Sequence, residues 1–267
     1  MYASVNGLNL FYEERSDHEP DPILFLHGFP LDHSMWRHQL DAFSMTHRCI
    51  APDLRGHGST TDIGETLQPG QVTIELMADD VAALLDHLRV QKITVCGLSM
   101  GGYVAFALWR RHPQRISRIV FADTKATADT VEARAARFQL AEQVKAGGSK
   151  VAADSMLPRL MAPENLDTAV ELDVRRMIES TRPDHIVNTL HALASRPDST
   201  GLLAHLSAPC MVVVGEKDIM TPKTDADLIY REAACAWRMV EIPRAGHLSP
   251  LENPDAFNAA VAEFLRA

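Results

Sequence analysis

The feature that most constrains this chain is an alternation of short, continuous apolar runs with longer segments of helical periodicity. Continuous apolar runs are typical of strands buried on both faces, and Thr73–Leu88 places its apolar residues on one helical face. Asn6-Gly7 favours a tight hairpin turn at the start of the chain. The alternation predicts an α/β fold, a mostly parallel sheet with helices on both faces. The predicted strands are Tyr2–Val5, Leu8–Glu13, Ile23–Leu26, Arg48–Ala51, Ile93–Cys96, Ile116–Ala122, Cys210–Val214 and Trp237–Ile242.

The alternation is interrupted between residues 125 and 200, where no segment is typical of a strand. Prolines divide this region into amphipathic segments, each with helical spacing. We therefore expect a core formed by residues 1–124 and 201–267, with a helical insertion over residues 125–200. The predicted helices of the insertion are Thr130–Lys145, Ser149–Leu160, Leu166–Ser180 and Asp184–Ser195.

The charge balance limits the classes of partner. The chain has 26 Lys and Arg against 35 Asp and Glu, a formal net charge of −9, which argues against a nucleic-acid or anionic-membrane partner. The segment Met1–Glu14 lacks the basic start and apolar run of a signal peptide, and no apolar stretch has the length of a membrane span. These observations predict a cytoplasmic location, and the sequence leaves the oligomeric state open.

The strongest chemical signal is Gly97-Leu98-Ser99-Met100-Gly101, which lies between a predicted buried strand and a predicted helix. In that context the serine is forced into a tight turn that exposes its hydroxyl above the sheet. The N-terminus of the following helix favours negative charge that develops there. We therefore expect Ser99 to be a nucleophile, the alternative being a purely structural turn.

A serine nucleophile needs a base and a group that orients the base. His247 follows the last predicted strand, and Asp218 follows the strand before it, so both lie at the carboxyl edge of the sheet with Ser99. Asp123 is a rival for the acid, because it also follows a strand. His27 and His57, beside glycines in loops, are expected to fix those loops.

Attack on a carbonyl requires donors for the oxyanion. We assign them to the backbone N–H groups of Phe29 and Met100, because the loop after Leu26 can turn toward Ser99 and Pro30 has no N–H. Phe29 is also a candidate for the acyl pocket. The insertion contributes three further candidates, although apolar residues at helical spacing also form plain core. These are Met156, Leu160 and Met161.

No motif in the sequence indicates a metal or a bound cofactor. There is no phosphate-binding loop, no HExxH and no Cys/His spacing suited to zinc. Asp53 to Gly58 is interpreted as a hydrogen-bonded turn rather than a catalytic segment. We therefore expect chemistry carried out by side chains and backbone alone.

Together these segments resemble the α/β-hydrolase family, and the resemblance covers nearly the whole chain. The matching segments are His27-Gly28-Phe29-Pro30, Asp53 to Gly58, Gly97 to Gly102, Gly215 to Asp218, and Gly246-His247 with Leu251–Pro254. The resemblance implies an eight-stranded sheet, with the insertion forming a helical cap over the active site. Within the family the chain is similar to small bacterial esterases, enol-lactonases and cofactor-free haloperoxidases, although His27-Gly28-Phe29-Pro30 departs from a segment common in enol-lactonases.

The expected function is hydrolysis of a small carboxylic ester or lactone through an acyl-enzyme. Family members that use Asp as nucleophile, such as dehalogenases, are disfavoured because position 99 is Ser. Three alternatives use the same triad and stay open: a carbon–carbon bond hydrolase, an acyltransferase and a slow-turnover ligand receptor. The sequence does not identify the substrate.

Overall fold

The computed structural model describes residues 1–16, 22–63 and 68–267. Over these residues the chain forms one twisted sheet of nine strands. The strands are β1 (Tyr2–Val5), β2 (Leu8–Arg15), β3 (Ile23–Leu26), β4 (Cys49–Pro52), β5 (Thr61–Asp62), β6 (Ile93–Leu98), β7 (Ile116–Ala122), β8 (Cys210–Gly215) and β9 (Ala236–Ile242).

The strand order is β1-β2-β4-β3-β6-β7-β8-β9. The strands from β4 to β9 along this path pair in parallel, while β1 and β2 form the antiparallel hairpin at one edge. The eight strands of this path are those that the sequence predicts. The ninth, β5, is a two-residue strand that pairs with β2 through Asn9 and Thr61, and it is too short to leave a periodic signal.

Helices cover both faces of the sheet. Successive residues of a strand point to opposite faces, and all four residues of β3 have 0% exposure. In the described residues the helices are α1 (Arg37–Phe43), α2 (Ile74–His87), α3 (Met100–Arg111), α4 (Val131–Gly147), α5 (Ser149–Leu160), α6 (Ala169–Ser180), α7 (Pro183–Ser195), α8 (Thr200–Leu203), α9 (Lys223–Glu232), α10 (Ser249–Glu252) and α11 (Pro254–Arg266). None of them is both long and apolar enough to cross a membrane.

The four helices α4–α7 lie between β7 and β8, and we call them the helical insertion. Helix α4 packs against α7, and α5 packs against α6. Thr130 caps α4 by accepting a hydrogen bond from the Ala133 N–H at 3.2 Å. Helix α6 begins at Ala169 rather than Leu166, because Pro163–Asn165 forms a 3₁₀ turn before it. The sequence analysis also misses the short helices α1, α8 and α10, which span at most seven residues each.

Candidate active site

Ser99 occupies the sharp turn between β6 and α3. Its φ of 53° and ψ of −110° lie in a region that L-residues rarely adopt, so the surroundings must hold the strain. The Ser99 N–H donates to the Ala122 carbonyl at 2.9 Å, and the Thr124 hydroxyl donates to the Ser99 carbonyl at 2.8 Å. A Cβ on Gly101 would lie 2.1 Å from the Leu26 carbonyl oxygen, so only glycine lets α3 begin this close to β3.

His247 lies in the loop after β9 and contacts Ser99. Its Nε2 is 2.7 Å from the Ser99 Oγ, and its Nδ1 is 2.8 Å from Asp218 Oδ2. The His247 backbone N–H donates to the Leu160 carbonyl at 2.9 Å, and the residue is 3% exposed. A carboxylate can only accept, so Nδ1 carries the proton and Nε2 is free to accept the serine proton. The three residues that the sequence places at one edge therefore form a continuous hydrogen-bonded chain.

Asp218 is held by the turn that follows β8. It accepts hydrogen bonds from the Met220 N–H at 2.8 Å, the Thr221 N–H at 3.0 Å and the Thr221 hydroxyl at 2.7 Å. Burial opposes its ionisation, but the interaction with His247 and the hydrogen bonds from His247 and Thr221 outweigh burial and lower the pKa of Asp218. The sequence analysis does not single out Thr221, although an Asp three residues before a Thr in a strand-end loop is typical of such a turn.

Asp123, the rival acid, has different partners. Its Oδ1 accepts from the Gly215 N–H at 2.7 Å, and its Oδ2 accepts from the Ser249 hydroxyl. The residue is 0% exposed, and burial together with the nearby charge of Asp218 raises its pKa well above the ordinary value. Asp123 thus joins the ends of β7 and β8 to the loop after β9 through hydrogen bonds. The carboxylate that is hydrogen-bonded to His247 is that of Asp218.

Phe29 and Met100 both line the cavity that contains Ser99. Met100 is the first residue of α3, so its N–H has no acceptor within the helix and lies at the positive end of the helix dipole. Phe29 follows β3 and is 7% exposed. The structure therefore brings both residues with an expected oxyanion donor to the cavity of Ser99.

The cavity over Ser99 shares five lining residues with a larger neighbouring cavity: Phe29, Lys125, Arg137, Met156 and Met220. Met156 and Leu160 line the first, and Met156 also lines the second. Met161 lines neither of these cavities: α5 ends at Leu160, and Met161 is extended and 3% exposed. Lining residues that the sequence analysis does not identify are Tyr103, Lys125, Arg137, Leu193, Met220 and Thr221.

His27 and His57 hold loops, as the sequence analysis expects. The Leu54 N–H donates to His27 Nε2 at 3.0 Å, which joins the loop after β4 to the loop after β3. His57 Nδ1 donates to the Arg55 carbonyl at 3.0 Å, and among the described residues its Nε2 has no partner. Burial, followed by the charge of His27, lowers the pKa of His57 to about 3. Both imidazoles are therefore neutral at physiological pH.

One cluster of metal-type ligands occurs in the described part of the chain. The ligand atoms of Asp32, His33 and Asp53 lie within 4.8 Å of one another. Asp32 accepts hydrogen bonds from the Ser34 N–H at 2.8 Å and the Ser34 hydroxyl at 2.5 Å. Asp53 accepts from the His33 N–H at 2.8 Å and from His33 Nδ1 at 2.7 Å. These hydrogen bonds account for the cluster as a loop structure.

Known proteins share this architecture. A malate-bound thermophilic esterase from Thermogutta terrifontis is 38% identical, with a TM-score of 0.91 over 99% of this chain and 96% of that one. The enol-lactonase from Burkholderia xenovorans is 30% identical, with a TM-score of 0.90 and full coverage of both chains. 3-oxoadipate enol-lactonase 2 of Acinetobacter baylyi is 29% identical over 91% of this chain and 88% of its own length.

The match to a family extends over most of the fold. Residues 21–254 match the family described as having the alpha/beta hydrolase fold. This range contains strands β3–β9, the helical insertion and all three residues of the hydrogen-bonded chain at Ser99. The protein belongs to the α/β-hydrolase family.

Proposed function

We propose that this protein is a serine hydrolase that cleaves a small carboxylic ester or lactone through an acyl-enzyme. The esterase and enol-lactonases among its relatives support a carboxylic ester hydrolase. The observation that carries the mechanism is the chain from Ser99 Oγ through His247 to Asp218, with links of 2.7 Å and 2.8 Å. This is the arrangement that activates a hydroxyl at neutral pH.

In the first half of the reaction, His247 Nε2 takes the Ser99 proton as Oγ forms a bond to the substrate carbonyl carbon. Asp218 holds the imidazole in the required tautomer and stabilises the imidazolium. The oxyanion accepts hydrogen bonds from the Phe29 and Met100 N–H groups. The tetrahedral intermediate then collapses, and the alcohol leaves with the proton from His247.

In the second half, water replaces the alcohol. His247 takes a proton from the water as its oxygen bonds to the acyl carbon. The bond from Ser99 Oγ to that carbon then breaks, and the proton returns to Ser99 as the acid departs. His247 thus acts as base and then as acid in each half.

We further propose that residues 125–200 act as a cap on the core of residues 1–124 and 201–267. The support is the cavity itself, which is lined by Met156 and Leu160 from the insertion and by Phe29 from the core. A helical lid can exclude bulk water from the acyl-enzyme site. In this arrangement the core supplies the chemistry and the cap contributes to the choice of acyl group.

The test is labelling with a fluorophosphonate probe, which reacts with activated serines. We expect one labelled site, lost in Ser99→Ala and kept in the control Ser4→Ala, which changes an exposed serine of β1. Turnover of ethyl acetate over many cycles would distinguish a hydrolase from a ligand receptor. Undiminished labelling of Ser99→Ala would contradict the assignment of the nucleophile.

A further inference from the structure

The cavity over Ser99 contains two positive charges that the proposed mechanism does not use. Lys125, from the loop after β7, and Arg137, from α4, line it together with Ser99 and His247. Among the described residues that line this cavity there is no carboxylate. Arg159 adds a further positive charge to the lining of the neighbouring cavity.

The carboxylates that lie near Lys125 and Arg137 neutralise only part of this positive charge. Asp129, whose side chain is 1% exposed, accepts from Arg137 Nε at 2.5 Å and lies 2.7 Å from Arg196 Nη1. Lys125 Nζ is 3.8 Å from the same carboxylate. Three cations therefore share one carboxylate, while Asp225 acts on Lys125 and Asp198 interacts with Arg196 from farther away. Among the described residues, Asp129 is the one carboxylate within 4 Å of the charged nitrogens of Arg137 and Lys125.

Arg196 is the most buried of the three cations. Its guanidinium is 3% exposed, donates to the Leu193 carbonyl at 2.8 Å and the Thr127 carbonyl at 2.9 Å, and lies 4.2 Å from the centre of the Tyr103 ring. The side chains of Arg137 and Lys125 are 21% and 18% exposed. The accessible charge of the cluster therefore belongs to Arg137 and Lys125.

Three cations close to one carboxylate repel one another when no ligand is bound. Burial, followed by the charge of Arg196, lowers the pKa of Lys125, so the site disfavours its own ammonium group. An anion in the cavity would relieve this repulsion, and a guanidinium can bind a carboxylate through two parallel hydrogen bonds. The adjacent apolar side chains of Met156 and Leu160 suit the hydrocarbon part of the same molecule.

We propose that the substrate is an ester or lactone that carries a free carboxylate, which Arg137 and Lys125 bind. The inference rests on the proposed function and specifies its substrate class. A carboxylate has two acceptor oxygens, which suits a cavity lined by one guanidinium and one ammonium group. Hydrolysis of such a substrate yields products that together carry one more negative charge than the substrate.

The test compares charged and neutral substrates of nearly equal size. Monoethyl adipate and its half-amide, ethyl adipamate, place the charge on the acyl side. The acetyl ester of ω-hydroxyhexanoate and its amide place the charge on the alcohol side. The variants are Arg137→Gln, Arg137→Lys and Lys125→Gln, and the control is Arg134→Gln, which changes an exposed arginine one turn earlier on α4.

For at least one pair, we expect the wild type to favour the anionic member in kcat/KM. Loss of a charge-assisted hydrogen bond in Arg137→Gln should reduce that preference about tenfold, mainly through KM. Lys125→Gln should reduce it as well, Arg137→Lys should restore part of it, and Arg134→Gln should leave it unchanged. No preference in the wild type, or a preference unaffected by both Arg137→Gln and Lys125→Gln, would overturn the proposal.

A binding measurement distinguishes failure of the carboxylate site from failure of the proposed hydrolase function. Calorimetric titration of Ser99→Ala with monoethyl adipate measures anion recognition without turnover. Weaker binding in Ser99→Ala combined with Arg137→Gln supports the carboxylate site even if the wild type hydrolyses no ester. Equal binding of the anionic and the neutral member by Ser99→Ala, in both the acyl-side and the alcohol-side pair, would contradict the carboxylate site even if all four compounds are hydrolysed.

Discussion

Helix α3 of the core and helix α4 of the helical insertion both line the cavity over Ser99, but they are buried to very different degrees. Ten of the 12 residues of α3, which follows Ser99, are buried, whereas two of the 17 residues of α4 are buried. On α4, Val131 is 77% exposed and Phe138 is 39% exposed. Most residues of α4 therefore stay in contact with solvent, and α4 packs mainly against α7 of the same insertion.

The difference matters because the two regions supply different contacts. The catalytic groups need distances near 3 Å, which rigid strands and saturated hydrogen bonds can maintain. In the proposed reaction, the side chains of Met156 and Arg137 meet a part of the substrate that does not react. The proposed chemistry thus rests on the core, with one backbone contact from the insertion, the Leu160 carbonyl that accepts from the His247 N–H. We therefore expect that side-chain substitutions in the lining of the insertion leave Ser99 in place.

The first prediction compares two carboxylates of the core. Asp218→Asn should lower kcat by about 10⁴, because an amide in that position favours the wrong tautomer of the base, as in the serine-protease template. Asp123→Asn should lower kcat much less, because Asp123 bonds to Gly215 and Ser249 rather than to His247. The measurement is steady-state hydrolysis, with folding checked by circular dichroism. A larger loss in Asp123→Asn would assign the acid to Asp123 instead.

The sequence predicts the core around Ser99 more completely than it predicts the helical insertion. Around Ser99 and Gly101 the backbone permits few residue types, so the motif itself carries the geometry. The eight strands of the main path are apolar enough to be identified one by one. The order Ser99, Asp218, His247 then places three side chains at one edge, and the structure brings their atoms within hydrogen-bonding distance.

The insertion is predicted less completely for a physical reason. Helical periodicity identifies its helices, but the direction of each side chain depends on how those helices pack. Met161 follows the end of α5 in an extended conformation, so it leaves the face that Met156 and Leu160 share. Arg137 lines the cavity although its segment appears as an ordinary polar helix.

The second prediction concerns the place where the core packs against the helical insertion. His57 lies in the core beside Gly56, and a Cβ on Gly56 would be 3.3 Å from the Cβ of His185 on α7. The pKa of His57 is about 3 in the folded protein, against a value of about 6.5 in the unfolded chain. The unfolded chain thus binds the proton first, and stability is lost as the pH falls from 6.5 toward 3.

Between pH 6.5 and pH 4 this difference amounts to about 3 kcal/mol of unfolding free energy. Urea unfolding of His57→Gln should therefore show a smaller decrease over that range than the wild type. Buried His27, whose pKa is also lowered, accounts for part of the decrease that remains. His205→Gln, at an exposed position, is the control. Parallel curves for wild type and His57→Gln would show that His57 does not limit acid stability.

The third prediction separates cavity lining from packing within the insertion. Met156→Ala should shift the preference among acyl chain lengths by about tenfold, since a methylene in an apolar pocket is worth about 1–3 kcal/mol. Met161→Ala should leave that profile unchanged and instead lower the unfolding free energy by about 2–5 kcal/mol, as expected for a buried side chain. Fluorophosphonate labelling of Ser99 should persist in both variants, because neither changes the core. The measurement is kcat/KM for acetyl to octanoyl esters, with urea unfolding of each variant. A changed profile in Met161→Ala, with none in Met156→Ala, would mean that the insertion presents a different face to the substrate.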